Sequence, residues 1–369
     1  MSYTRRRLLA VAGAAAAGSA AGCLGGNGGD GGSGGTGGGG TADGLPLGDG
    51  SPPGSRGLAA YRDATVDVLR KDGIPAIDEP RFDAASDADL ADDEPVFGVA
   101  RGDTVKAYPR AILAWHEIVN DRVDGDPVAV TYCPLTGTVL GFRRGDTTFG
   151  VSGDLVNSNL IMYDRATDSR WPQMLGAAVQ GPHEGDVLQE IPVVWTTWRR
   201  WRDAHPETRV LSEDTGAIRD YDRDPYGSYA PPGGYYANRN LLFDTMPRDE
   251  SRHPKEIVVA ARDHEGAAAF GKDALRDDHV ATAGGFTAVY DDALDVGRVY
   301  RNPDGVAVTA ESEGYRVGAE DGDGGDGAGV DGGASDVHAA DALPLTAVPA
   351  FDAMWFAWSA FFPETAVHG

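Results

Sequence analysis

The chain is poor in cysteine: of its 369 residues only Cys23 and Cys133 carry a thiol. A zinc site of the paired-cysteine kind and a dithiol redox cycle both need more sulfur than one folded domain has here. Lysine is scarcer still relative to arginine, with Lys71, Lys106, Lys255 and Lys272 the only examples. The net charge is −25, and without a basic footprint nucleic-acid binding is excluded. Acidic residues are spread along the chain rather than gathered in one tail. Such a surface stays hydrated in concentrated salt, where at about 1 M the Debye length shrinks to ~3 Å. We read it as halophilic. A convincing membrane span is also lacking. The apolar run Leu8–Ala21 is short of the ~20 residues a span requires and is rich in Ala and Gly.

That run belongs to a leader, residues 1–22. Thr4-Arg5-Arg6-Arg7-Leu8-Leu9 reads as a twin-arginine signal, and Ala20-Ala21-Gly22-Cys23 as a lipobox. Cys23 is then the lipid anchor and the new N-terminus, and the membrane is a partner through its lipid. Residues 23–57, dominated by Gly, form a flexible tether. The expected location is extracytoplasmic, on the outer face of the cell membrane. Residues 58–93 supply a first helix, Leu58–Leu69, and an acidic loop.

Regular patterning begins at Glu94. Glu94–Ala100 and Thr104–Tyr108 read as a hairpin around Arg101-Gly102-Asp103. Pro109 stands at a helix start, and Ile112, Leu113, Trp115, His116 and Val119 follow at helical spacing. Val128–Tyr132 is a strand broken by Cys133-Pro134, because proline lacks a donor and restricts its predecessor. Gly137 turns the chain into a returning strand, Thr138–Arg143. Strands follow at Thr147–Ser152 and Leu160–Tyr163, then shorter ones near Gly176–Gly181 and Val187–Val194. Trp195–Ala204 is read as a helix with Trp198 and Trp201 on one face, and Asp214–Tyr236 as a long ordered loop.

Four segments recur later in the same order. Glu94–Arg101 resembles Lys255–Arg262, and the Ala107–Leu113 stretch resembles Ala269–Leu275. The cysteine strand resembles Ala288–Asp291, with Phe142-Arg143 matching Tyr300-Arg301. The stretch Trp198–Thr208 resembles Trp355–Thr365. The expected fold is therefore α+β and strand-rich. It has two related halves, 94–250 and 251–369, each with a sheet and a tryptophan-bearing helix. In this register Asp291 replaces Cys133 and Phe362 replaces His205, so a site unique to the first half is expected. Residues 320–335, nearly all Asp, Gly and Ala, should be disordered, and their spacing does not fit a calcium loop.

TYCPLTGT, FGVSGDLVNSNLIMYDRATDSRWPQM, TTWRRWRDAHPETRVLS, DYDRDPYGSY and RHPKE together resemble the DUF3179 family, a domain of unknown function. The resemblance runs from about Glu94 to the C-terminus. It implies domain limits and extracytoplasmic placement, and it brings no reaction, ligand set or cofactor.

Three chemistries suit the residues. Cys133 as a nucleophile needs a base and an anion stabiliser, for which His116, Arg143 and Arg165 are the candidates. Ser152 lacks the nucleophile-elbow pattern, since Asp154 occupies the final glycine position. A copper-type metal site would take Cys133, His116 and Met174, although Pro134-Leu135-Thr136-Gly137 stands where blue-copper loops carry His and Met. A binding site without chemistry would use Ser152, Asn157, Asn159, Asp164, Trp171 and Tyr226, with Trp195, Tyr229, Tyr235 and Tyr236, on a small-molecule, glycan or peptide ligand. The inert alternative is a buried Cys133 that acts only as a small hydrophobe.

Overall fold

A computed structural model describes residues 44–48, 53, 56–229, 231–318 and 337–369. The leader, Cys23 and the 320–335 loop lie outside these. Part of the expected tether packs against the domain: Leu45 is buried in the main core and Leu47 bridges Leu188. Leu45 and Leu47 are large apolar groups in a glycine tract, and their burial outweighs the entropy of a short extended segment.

The chain is α+β, with several small sheets and short helices. The hairpin Pro95–Arg101 and Thr104–Pro109 is flanked by Val194–Thr197 on one side. On the other lies Arg209–Leu211, parallel to the hairpin's second strand, followed by Phe82–Ala84. In the second half the hairpin Ile257–Arg262 and Ala267–Gly271 has Ala350–Met354 and the parallel strand Ala366–His368 in the same places. We call these the entry sheets. A second sheet in each half also follows one order. The first runs Glu190–Ile191, Thr138–Arg143, Asp126–Cys133, Ile118–Val123. The other runs Thr346–Val348, Val296–Arg301, Phe286–Asp291, Val280–Ala283. A sheet built on Phe149–Val156 and Asn159–Asp164 serves the first half alone. A three-stranded one over Val308–Glu311, Gly314–Val317 and Val337–His338 serves the second.

Four helices of seven residues each sit at matching places: α2 (Arg110–His116), α3 (Trp198–Ala204), α4 (Lys272–Asp278) and α5 (Trp355–Phe361). Helix α1 (Leu58–Asp63) precedes them. Helices this short do not persist alone, so packing holds them. Trp201 lies against Gly98, where a Cβ would run into its ring. Its indole donates to Thr208 at 2.9 Å, as Trp358 donates to Thr365 at 3.1 Å. No described helix is long and apolar enough to cross a membrane.

Some boundaries differ from expectation. Helix α1 stops at Asp63, and Val66-Asp67 pairs instead with Leu155 and Asp154. Trp195 belongs to a strand, because its ring packs edge-on against Phe97 and Tyr132 in the sheet layer; only from Trp198 does the chain become helical. The expected strand near Gly176–Gly181 reduces to isolated bridges, and of the expected Val187–Val194 strand only Glu190–Ile191 and the start of Val194–Thr197 form. One hydrophobic core contains Cys133, Leu135 and Trp171 together with Ala260, Met354, Trp358 and Phe361, so the two halves share it.

Candidate functional site

Helix α2 ends at Glu117, whose φ of 58° takes the chain into the left-handed region. That reversal starts Ile118–Val123, which pairs back along Asp126–Cys133 with Ile118 opposite Thr131. The Glu117 carbonyl accepts from Tyr132 N–H at 2.7 Å. Glu117 therefore lies at the end of the ladder, beside Tyr132 and Cys133. The cysteine strand turns through Pro134–Gly137, with Thr136 N–H reaching the Cys133 carbonyl at 3.3 Å and Gly137 at φ 57°.

Cys133 is 1% exposed. Its Sγ lies 3.6 Å from the Ser158 carbonyl. Burial, reinforced by the Glu117 carboxyl, pushes the thiol up to about 11. Glu117 is 6% exposed, and among the described residues its side chain has no hydrogen-bond or ion-pair partner. Burial pushes its carboxyl up to about 8, so the group is mostly a neutral acid at pH 7.

A covering segment closes over this pair. Residues 212–256 contain no helix or strand among those described, yet they are fastened at many points. Asp224 pairs with Arg110 at 2.8 Å, the two side chains 11% and 8% exposed. Arg110 also reaches the Tyr132 hydroxyl at 3.4 Å and lies over the rings of Tyr229 and Tyr236. The Tyr235 hydroxyl donates to the Leu135 carbonyl at 2.7 Å. Lys255 donates to the Tyr235 carbonyl and sits 3.5 Å from its ring centre. Burial pulls the Lys255 amine down to about 8. Burial raises Tyr226, and the charges of Glu117 and Cys133 add to it. The Tyr236 hydroxyl is buried and has no hydrogen-bond partner of good geometry among the described residues.

The residues singled out from sequence fall into two groups. Asn157, Asn159 and Tyr226 gather around the cysteine turn. Asn159 donates to Thr136 and Gln173 and accepts from Met174 N–H, and Asn157 accepts from Met246 N–H. The others have structural partners of their own. His116 donates from Nδ1 to the Pro75 carbonyl at 2.8 Å and meets the Tyr221 hydroxyl through Nε2 at 2.7 Å. Burial lowers its pKa, and neither ring nitrogen is bonded to the thiol. Arg143 pairs with Asp126, and Arg165 with Asp78. Ser152 donates to the Ile161 carbonyl at 2.6 Å. Asp164 accepts from Thr167, Ser169 and the Trp171 indole. Met174 is fully buried, and its carbonyl accepts from Arg262. No cluster of three or more His, Cys, Asp or Glu suited to a metal occurs among the described residues. Sequence reasoning passed over Glu117, Arg110, Asp224 and Lys255. A charge ending an apolar helix, and a lysine in a chain nearly without lysine, were the available signals.

What the fold and the site define is a strand-rich α+β protein holding a covered acid–thiol pair in one half. The chain belongs to the DUF3179 family, described as a protein of unknown function, which it matches over residues 71–365. No curated protein and no solved structure matches it.

Proposed function

We propose that this chain is a membrane-anchored extracytoplasmic lipoprotein, tethered through Cys23, that binds a small polar ligand at Glu117 and Cys133. Glu117 carries the reading. A buried carboxyl without a partner costs about 1–3 kcal/mol, a cost that a hydrogen-bonding ligand removes. As a neutral acid it donates one bond and accepts others, while the Tyr226 and Tyr236 rings and hydroxyls suit an uncharged ligand such as a glycan fragment or polar small molecule. Entry requires the 212–256 segment to move.

Two observations weigh against a thiolate nucleophile served by His116. The thiol is raised rather than lowered, and the imidazole is engaged by Pro75 and Tyr221. A copper site on Cys133, His116 and Met174 is disfavoured by the same engagement of His116. The matching strand orders of the two halves and their paired indole–threonine bonds favour an origin by duplication. The acidic, lysine-poor surface favours a saline setting.

The test is ligand-dependent thermal stabilisation of the whole protein across sugars, peptides and polar metabolites. A hit should persist in Glu117→Gln, which keeps a neutral hydrogen-bonding group, and vanish in Glu117→Leu. A hit indifferent to Glu117→Leu sinks the site. Release of Cys23→Ala protein from membranes checks the anchor.

A further inference from the structure

A cleft of about 310 Å³ lies between the two halves. Sites for small ligands run from ~300 Å³ upward. Its walls are Val139, Val193 and Trp195 from the first half and Val299, Val348 and Phe351 from the second. Three charged residues, Arg298, Asp341 and Asp352, also line it. Asp352 occupies, in the second entry sheet, the register that Trp195 holds in the first: Trp195 pairs with Phe97 and Asp352 with Val259. The Asp352 side chain is 11% exposed. Its Oδ2 lies 2.5 Å from Lys272 Nζ, whereas Oδ1 has no hydrogen bond among the described residues. A carboxylate placed where the related sheet carries an indole, lining a cleft and with one oxygen free of hydrogen bonds among the described residues, suits a ligand donor.

The geometry points to a second binding site here, for a neutral and mainly apolar small molecule that donates one hydrogen bond to Asp352. The charge of the ligand follows from the neighbours. Lys272 already balances the carboxylate, and Arg276 also acts on it, so a cationic head would meet two like charges. An anionic head would meet Asp352 and Asp341, with Arg298 on the same lining already paired to Asp291 at 3.0 Å, in a protein of net charge −25. What remains unmet is the Asp352 Oδ1 lone pair, with the Arg298 Nε–H on the same lining also lacking a partner among the described residues; a hydroxyl or N–H satisfies the lone pair without adding charge.

N-phenyl-1-naphthylamine, a neutral fluorophore with one N–H, is the probe. In high salt its fluorescence should rise saturably with one site per chain. The N-methyl derivative, lacking the donor, and the sulfonated analogue 1-anilinonaphthalene-8-sulfonate should each bind at least tenfold more weakly. Ala347 lines the mouth of the cleft and is exposed, so Ala347→Trp should abolish binding with an unchanged melting temperature. Val193→Phe should do the same from the opposite wall, and Glu117→Gln should leave the probe's affinity unaltered, separating this site from the acid–thiol pair. Absence of saturable binding, equal binding by the N-methyl derivative or the sulfonate, or undiminished binding in both blocking variants overturns the proposal.

Discussion

Corresponding places in the two halves hold different chemistry. Helix α2 ends at Glu117 and α4 at His279, with φ of 58° and 62°. The next strand pair leads to Cys133 in one half and Asp291 in the other, each at the last ladder position before the turn. In the first half these groups are buried, and the Glu117 side chain has no partner among the described residues. In the second, His279 is partly exposed and lies 3.1 Å from the exposed Asp292, while Asp291 pairs with Arg298 at 3.0 Å. One local geometry thus serves a sealed acid–thiol pair and an ordinary set of ion pairs. What separates them is the covering segment 212–256, which closes over the first half. Helix-end geometry positions a group; only the cover decides whether it is desolvated.

The largest test of that contrast removes a buried cation and its outer counterpart. Arg110→Met leaves Asp224 charged and unpaired under the cover and should cost about 3–5 kcal/mol in urea unfolding. His279→Gln, whose partner Asp292 is 70% exposed, should cost about 0–1 kcal/mol. Equal losses would erase the distinction.

Next comes the pH dependence. Glu117 titrates near 8 folded against an ordinary 4.5, so between those values the folded state holds the extra proton. Stability contributed by this group is full below about 4.5 and is lost as pH rises toward 8. Lys255, at about 8 folded against 10.5, acts oppositely: the unfolded state holds the extra proton, and stability recovers from 8 to 10.5. Melting temperatures should therefore fall from pH 4.5 to 8 and begin to recover above 8, until from about 9 the raised thiol of Cys133 offsets the Lys255 gain. Glu117→Gln should flatten the acid-side slope, and His279→Gln, on the exposed half, should leave it in place.

Thiol labelling sharpens the comparison further. Native Cys133 should resist iodoacetamide at pH 7.5 and react once unfolded. A thiol introduced as His279→Cys in a Cys133→Ser background should label within minutes. Rapid native labelling of Cys133 would mean that the cover is open in solution. Cys133→Ser itself should cost about 1–2 kcal/mol as a buried thiol is exchanged for a hydroxyl.

Much of this arrangement was readable beforehand. β-Branched alternation and Gly-Asp turns located the hairpins, Pro134 and Gly137 located the cysteine turn, and the spacing of Trp198 and Trp201 located α3. The candidate acid was missed by one position. Helical spacing drew attention to His116, whereas the left-handed residue that ends the helix is its neighbour Glu117, and that conformation is set by the returning strand. Asp224 and Lys255 were equally hidden, since a loop without a period gives no hint of what it covers.

The residues by themselves determined where strands, turns and tryptophan helices form, because those follow from local propensity and period. They also determined the surface charge and the single thiol of the folded part. Only the tertiary structure decided that Glu117 faces Cys133, that His116 turns to Pro75 and Tyr221, and that Asp352 opens on a cleft. Each of these depends on desolvation by segments distant in the chain, which no local pattern records.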